Sequence, residues 1–311
     1  SMNTVQSKLL ISNTAMIELR DVAKDLGSTT AFSASQAADG MGFLAQAGLD
    51  ASEIIAAMPE VLNLAAAAGL SLASAADIAT NVMGGMQLGV GELARITDVL
   101  FLTSAKANTS VEELAEVMKD AAPLAASFGI PLEDLSAAAG ILANNGFKAG
   151  QAGTILKNSI QNLLNPVGQG EIAFKKFNLT QADFFKTLSD GSLEFIGYGK
   201  MMDLIKEKGI QTEDVLKIFG RIAGPGMVSL IGAGKEALEG LAVDISAAGA
   251  AAEGADIKLR GLPGAIIAMK SAWEGFNLAL TDTTGGESLA ERFVNGITAA
   301  LRSATAFIDT N

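Results

Sequence analysis

The chain has 311 residues, enough to bury a sizeable core in one or two domains; 49% are hydrophobic and only 18% charged, which excludes a disordered polyelectrolyte. A net charge of −12 and a pI near 4.5 argue against a phosphate-binding surface, since the longest basic run is Lys175-Lys176. The absence of Cys and His removes disulfides, thiolate nucleophiles, zinc–sulfur sites and the commonest general base together.

Aromatic residues are scarce, at 5%, so alanine, leucine and glycine must fill the interior. That suits closely packed helices better than a β-branched, aromatic sheet core. At the N-terminus, residues 3–19 lack a basic segment followed by an apolar block. Ser1-Met2 reads as the remnant of a cleaved tag, so the natural protein is expected to be longer.

In chain order, helix starts recur and strand signals do not. Ser33 with Gln36 makes a capping box, and Gly48 ends that helix; Asp50 with Glu53 opens the next. Pro59 either kinks that helix or restarts it at a first turn. Ser71 starts a helix toward Gly84-Gly85, and 92–106 is amphipathic through Leu93, Ile96, Val99, Leu100 and Leu102. Ser110 with Glu113 caps a helix that continues through Pro123 to Gly129. Pro131 sits in the first turn of the next, which Gly146 closes. Residues 151–164 are then helical, and Asn165-Pro166 stops them.

Beyond Pro166 the sequence is richer in Phe and Lys, and Asn178 and Asp190-Gly191 mark turns, so a small hairpin is expected near 177–195. Residues 193–208 and 214–219 read as helices, Gly224-Pro225-Gly226 as a strong break, 235–248 as a helix and 249–254 as a soft Ala/Gly linker. Residues 265–280 and 287–308 read as two longer amphipathic helices around Gly285-Gly286. The expected fold is an all-α, multi-helix bundle of Gly/Pro-punctuated helices. Its expected parts are an N-terminal helix (1–29), a core helical domain (30–166), a second helical region with the hairpin (167–255) and C-terminal amphipathic helices (256–311).

One pattern is stated twice. Residues 65–79 read AAAAGLSLASAADIA and residues 125–139 read AASFGIPLEDLSAAA. Each crosses a glycine (Gly69, Gly129), passes Leu70 or Ile130, and restarts a helix over Leu72 or Leu132. These are two related helix–turn–helix units.

The second unit lies within SVEELAEVMKDAAPLAASFGIPLEDLSAAAGILANNGFKAGQAGTILKNSIQNLLNP, residues 110–166. Its Ala122-Pro123 element, its Ala126 to Gly129 turn, its Leu142-Ala143-Asn144-Asn145-Gly146 stop and its Gly150-Gln151-Ala152-Gly153-Thr154 start closely resemble the core of the phage tail tape-measure, or minor tail, protein family. The upstream run around Met58-Pro59 and the downstream KIFGRIAGPGMVSLIGAGKEALEGL and Trp273 regions carry weaker likeness, so the resemblance covers roughly residues 30–280.

The resemblance implies a virion component of a phage or prophage tail, lying in the tail tube and present in the host cytoplasm during assembly. It implies a part in tail length determination and in genome ejection. The partners it implies are other copies of the chain, the tail tube protein, a tail assembly chaperone, and tail tip or baseplate proteins. A membrane-active helical module that permeabilises the host envelope on ejection is the alternative, and no specific nucleic-acid binding is expected. A helical ruler needs uninterrupted helix at about 1.5 Å per residue. Glycine or proline punctuates this chain every 12 to 20 residues or so, each at a helix-propensity cost of about 1 to 3 kcal/mol. A compact domain attached to a ruler is expected, rather than the ruler itself.

No catalytic, cofactor-binding or metal-ligating residue is expected. Gly146, Gly150 and Gly153 lack the Lys-Ser/Thr that a phosphate loop requires, so they read as close helix contacts. Glu287-Ser288 lacks the Gly-Leu-Met-Gln element of a lytic transglycosylase and reads as a helix start. The pairs Glu112-Glu113, Glu133-Asp134 and Glu213-Asp214 fit first helical turns better than an acid–base pair. Asn108-Thr109-Ser110 and Asn178-Leu179-Thr180 match the glycosylation pattern, which carries no meaning in a phage-encoded chain. The longest uncharged run, 61–76, is too short to span a bilayer.

Overall fold

The computed structural model describes residues 13–260 together with Val5, Gly264, Met269, Trp273 and Thr298. The helices expected at 265–280 and 287–308 therefore lie outside the described residues, apart from those isolated positions. Contacts divide the chain into two compact units, Ser1–Thr80 with Gly249–Asn311, and Asn81–Ala248. The fold is all-α, with one two-stranded hairpin among the described residues.

The first unit holds α1 (Asn13–Thr29), α2 (Ala34–Gln46), α3 (Ala51–Ala68), the start of α4 (Leu72–Gly85) and α13 (Ala250–Leu259). The capping boxes Ser33/Gln36 and Asp50/Glu53 form as the sequence predicts, each with both reciprocal bonds. Met41, Leu44, Ile54, Met58, Val61 and Leu64 are fully buried. Pro59 does not restart a helix: it is the ninth residue of the uninterrupted α3. The packing of Met58, Val61 and Leu62 on both sides of it outweighs its one missing backbone bond. The expected soft linker at 249–254 is instead the start of α13, whose Ala251 and Ala255 are buried where it packs on α3. Alanines read as loop-like in sequence serve here as small contact residues.

The second unit holds the end of α4, then α5 (Leu93–Lys106), α6 (Val111–Ser127), α7 (Leu132–Asn144), α8 (Ala149–Leu164) and α9 (Gln169–Lys176). After them come the hairpin β1 (Phe185–Thr187) and β2 (Leu193–Phe195), then α10 (Tyr198–Glu207), α11 (Thr212–Ala233) and α12 (Lys235–Asp244). The α6–α8 pair is the most extensive contact; α11 packs on α8 and α9, and α7 packs against α5 and α12.

The hairpin falls within the expected range, turning at Asp190-Gly191, where the Asp190 carboxylate accepts from the Ser192 N–H at 2.9 Å. Residues 193–195 were expected to open a helix but form β2, and α10 begins only at Tyr198. Opposite Phe185 in the register, Phe195 stacks on it with ring centroids 5.6 Å apart and donates its backbone N–H to the Phe128 carbonyl at 2.9 Å. That aromatic burial holds the segment extended. The expected break at Gly224-Pro225-Gly226 also moves. Residues 221–233 are helical, and the chain breaks at Gly220, at φ 68° and ψ −173°.

Both restated motifs end their helices in the same way. Gly69 and Gly129 adopt φ 76° and 67°, and the next residues, Leu70 and Ile130, donate back to the carbonyls of Ala65 and Ala125 at 2.9 and 3.0 Å. This six-residue closure satisfies carbonyls that the helix end would otherwise orphan, and its left-handed position favours glycine. Leu72 and Leu132 then bury almost completely at the start of the following helix. A Gly129→Ala variant is expected to lose about 1 kcal/mol from placing a Cβ in the left-handed region. Gly84, helical and open to solvent, is the control: Gly84→Ala should be neutral or gain up to about 1 kcal/mol. Urea melts of the two variants beside the parent chain measure the difference.

Candidate functional site

The segment with the most specific sequence signature, residues 110–166, forms α6, α7 and α8 and the turns between them. The two turns at one end are tied together by polar side chains. The Asn108 backbone N–H donates to the Asn144 side-chain oxygen at 2.7 Å, and Lys148 Nζ donates to the Asn108 Oδ1 at 3.2 Å. Lys148 also lies 3.6 Å from Glu113, which caps α6 by accepting from the Ser110 N–H and the Thr109 hydroxyl. The Leu-Ala-Asn-Asn-Gly stop is therefore a clip between the α5–α6 and α7–α8 turns. The Asn108–Asn144 partnership was not legible in sequence, because its residues lie 36 positions apart.

Within the layer, α8 approaches α6 at Gly153. A Cβ built there would lie 2.8 Å from the Val117 carbonyl oxygen and 3.0 Å from its Cα, so the two backbones are nearly in contact. Gly150 is looser, 3.6 Å from the Asp120 carboxylate, which also accepts from the Thr154 hydroxyl at 3.4 Å. The close helix contact expected at these glycines is made at Gly153. The same device appears at Gly226 of α11, where a Cβ would sit 2.7 Å from Ile155 of α8. Part of the Gly-Pro-Gly run read as a break is therefore a packing contact.

The three acidic pairs lie in first helical turns, as expected. Glu133 takes a 2.7 Å bond from Arg95, which bonds Glu92 at 2.7 Å as well; the Glu133 bond raises the Arg95 pKa further. Asp134 is half-buried, and burial, then the charges of Glu133 and Glu239, raise its pKa. Asp214 is buried and bonded to Lys176 at 2.6 Å and to Lys217 at 3.4 Å; the Lys176 bond leads in lowering its pKa. Among the described residues no group of three or more acidic side chains is placed to hold a metal ion. Glu287-Ser288 lies outside the described residues.

Tyr198 occupies a different position from anything the sequence suggested. It is fully buried, edge-on to Phe195 at 5.2 Å, and its hydroxyl has no hydrogen-bond partner. Burial pushes the phenol above its ordinary ionisation range, opposed by a weaker influence from Ser159 and assisted by the charge of Asp134. Ser136 on α7 has a second buried hydroxyl without a partner.

Two helices, Ala51–Ala68 and Thr212–Ala233, are long and apolar enough to cross a membrane by length and composition. Neither is an uncharged run: the first carries Glu53 and Glu60, the second Glu213, Asp214, Lys217 and Arg221. In both, 44% of the apolar window is buried inside the protein.

The architecture is thus helix packing and end-capping throughout, over the stretch with the most specific signature. Residues 20–224 match the model of the phage-related minor tail protein family. The chain belongs to that family. It is 30% identical over 292 residues to the tape measure protein of Pneumococcus phage Dp-1, covering 92% of this chain and 25% of the relative. It is 31% identical over 168 residues to the probable tape measure protein of Escherichia phage P2, covering 54% of this chain and 21% of the relative. The chain spans about a quarter of the length of these curated relatives. No solved structure matches it.

Two measurements test the packing of this minor tail protein. Gly153→Leu should cost at least about 1–3 kcal/mol, because the Val117 backbone leaves no room for added volume; an unchanged urea midpoint would show that the glycine serves a partner surface instead. Tyr198 is the only tyrosine, so alkaline absorbance titration reads it alone. Its folded pKa is raised, so its contribution to stability is fully present below the unfolded pKa near 10. That contribution is lost as pH rises past 10, because the unfolded state ionises first. Tyrosinate should therefore appear only together with loss of helix, and Tyr198→Phe, which removes an unpartnered hydroxyl, should raise the unfolding free energy by about 1 kcal/mol.

Proposed function

We propose that this chain is a structural domain of a phage or prophage tail tape-measure protein, acting in tail assembly and length determination inside the tail tube. The observation that supports the reading most directly is the family match over 20–224, which runs across helices that fold back on one another in compact units. The longest described helix, α11, is 22 residues and is itself interrupted. A continuous helical rod would measure at about 1.5 Å per residue; a chain folded back on itself does not. We place the domain as a knot on the ruler, with copies of itself, the tail tube protein, the assembly chaperone, and tail tip or baseplate proteins as partners. It is made in the host cytoplasm and ends in the virion. Its role is proposed as structural rather than enzymatic, four of the six carboxylates of the acidic pairs (Glu113, Glu133, Glu213 and Asp214) being engaged in a cap or ion pairs.

Membrane action on ejection is the second reading, and the two helices of spanning length and composition motivate it. Their buried faces favour the core-helix account.

The test is an in-frame deletion of residues 13–260 in the parent phage, with tail lengths measured by electron microscopy. Were these residues a helical ruler, tails would shorten by roughly 370 Å. The proposal expects a shortening of only a small fraction of that, and a loss close to the full figure would overturn it.

A further inference from the structure

We infer that Asn145-Gly146 is a site of spontaneous covalent modification, where the asparagine deamidates and the product unfastens the clip beside it. The reaction needs no enzyme. The backbone nitrogen of the following residue attacks the side-chain carboxamide carbon, and a Cβ on that residue hinders the approach. Of the ten asparagines among residues 13–260, Asn145 alone is followed by glycine; each of the others precedes a residue that carries a Cβ. Asn165 precedes Pro166, which has no N–H at all. Asn158 and Asn162 are further held within α8, their amides donating to the Thr154 and Phe219 carbonyls at 2.8 Å.

The fold places this pair where the chain can turn. Both residues are exposed, directly after the last residue of α7, and a Cβ at Gly146 would meet nothing within 4 Å. Asn145 has φ −95° and ψ 12°, so ψ must rotate toward the extended region before the Gly146 nitrogen can face the carboxamide. That rotation gives up two backbone bonds, from the Gly146 N–H to Ala143 at 3.0 Å and from the Phe147 N–H to Leu142 at 2.9 Å. The Asn145 side chain also leaves the Ile141 carbonyl, to which its amide donates at 2.9 Å. All three bonds lie at a helix end, where local opening costs least.

Water is the one co-reactant. As the Gly146 nitrogen bonds to the Asn145 Cγ and gives up its proton, the Cγ–Nδ2 bond breaks and ammonia leaves, closing a five-membered succinimide. Water then opens the ring at Cγ to give aspartate, or at the main-chain carbonyl to give isoaspartate, which routes the chain through Cγ. Either product sets a carboxylate, which cannot donate, against the Ile141 carbonyl and adds negative charge at a helix C-terminus. Isoaspartate also lengthens by one carbon the loop that Phe147 closes onto Leu142. The adjoining Asn144 side chain, which accepts the Asn108 N–H at 2.7 Å, loses its support, and the clip between the two turns opens.

The test incubates the full chain in mildly alkaline buffer at body temperature, beside the same chain unfolded in urea. Tryptic cleavage isolates residues 120–148, which hold Asn144 and Asn145 and exclude the second Asn-Gly pair, Asn295-Gly296. Fragmentation should place a mass gain of about one dalton on Asn145, divided between aspartate and isoaspartate, at a folded-state rate within about a hundredfold of the unfolded one. A folded chain slower than that, or a gain on Asn144 instead, would overturn the site. Asn145→Asp, one of the two products, should speed hydrogen exchange at the Asn108 amide by at least about tenfold. Unchanged exchange there would overturn the unfastening. Should that variant not fold, the same exchange is read on the aged parent chain, with the same two outcomes.

Discussion

The close approach of α8 to α6 and α11 is the constraint on which the second unit depends. Side chains as small as a methyl group cannot enter at Gly153 or Gly226 without moving Val117 backbone or Ile155. Once these backbones meet, Ala121, Ala122, Ala125 and Ala152 can fill the seam that larger residues fill elsewhere. Interiors must be filled to near-crystalline density, and an alanine-rich chain can reach that only by bringing helix axes together. The scarcity of aromatics and the abundance of glycine are two sides of one packing solution.

The aromatic residues are concentrated where that solution stops. Phe128, Phe185, Phe195 and Tyr198 form a chain of ring contacts around the hairpin, and Phe174 with Phe184 adds a second pair. Here the gap between elements is too wide for alanine, and a small sheet carries large side chains into it. The unpartnered Tyr198 hydroxyl is the residual cost of putting an amphipathic ring in a dry place.

What could be read from sequence was what is local. Caps at Ser33, Asp50 and Ser110, left-handed stops at Gly69 and Gly129, and the turn at Asp190-Gly191 depend on residues within six positions of one another, and the structure forms them all. The misplaced boundaries share a different origin. Leu193–Phe195 is a strand because Phe185 and Phe128 lie beside it, and α13 is a helix because α3 offers it a face. Pro59 is tolerated because its neighbours are buried. The break in α11 sits at Gly220, four residues before the Gly-Pro dipeptide, because the glycines after it are needed at Leu216 and Ile155. The functional reading was legible through the 110–166 signature, whereas the Asn108–Asn144–Lys148 clip behind that signature is long-range and was not.

The pairing of α3 with α13 has a consequence for how the protein is made. Residues 51–68 leave the ribosome long before residues 250–259 are translated, with the whole of Asn81–Ala248 between them. The second unit is contiguous and can close as soon as it is synthesised, whereas the first must wait for α13. During that interval the part of α3 that α13 will cover stays unsealed on a nascent chain.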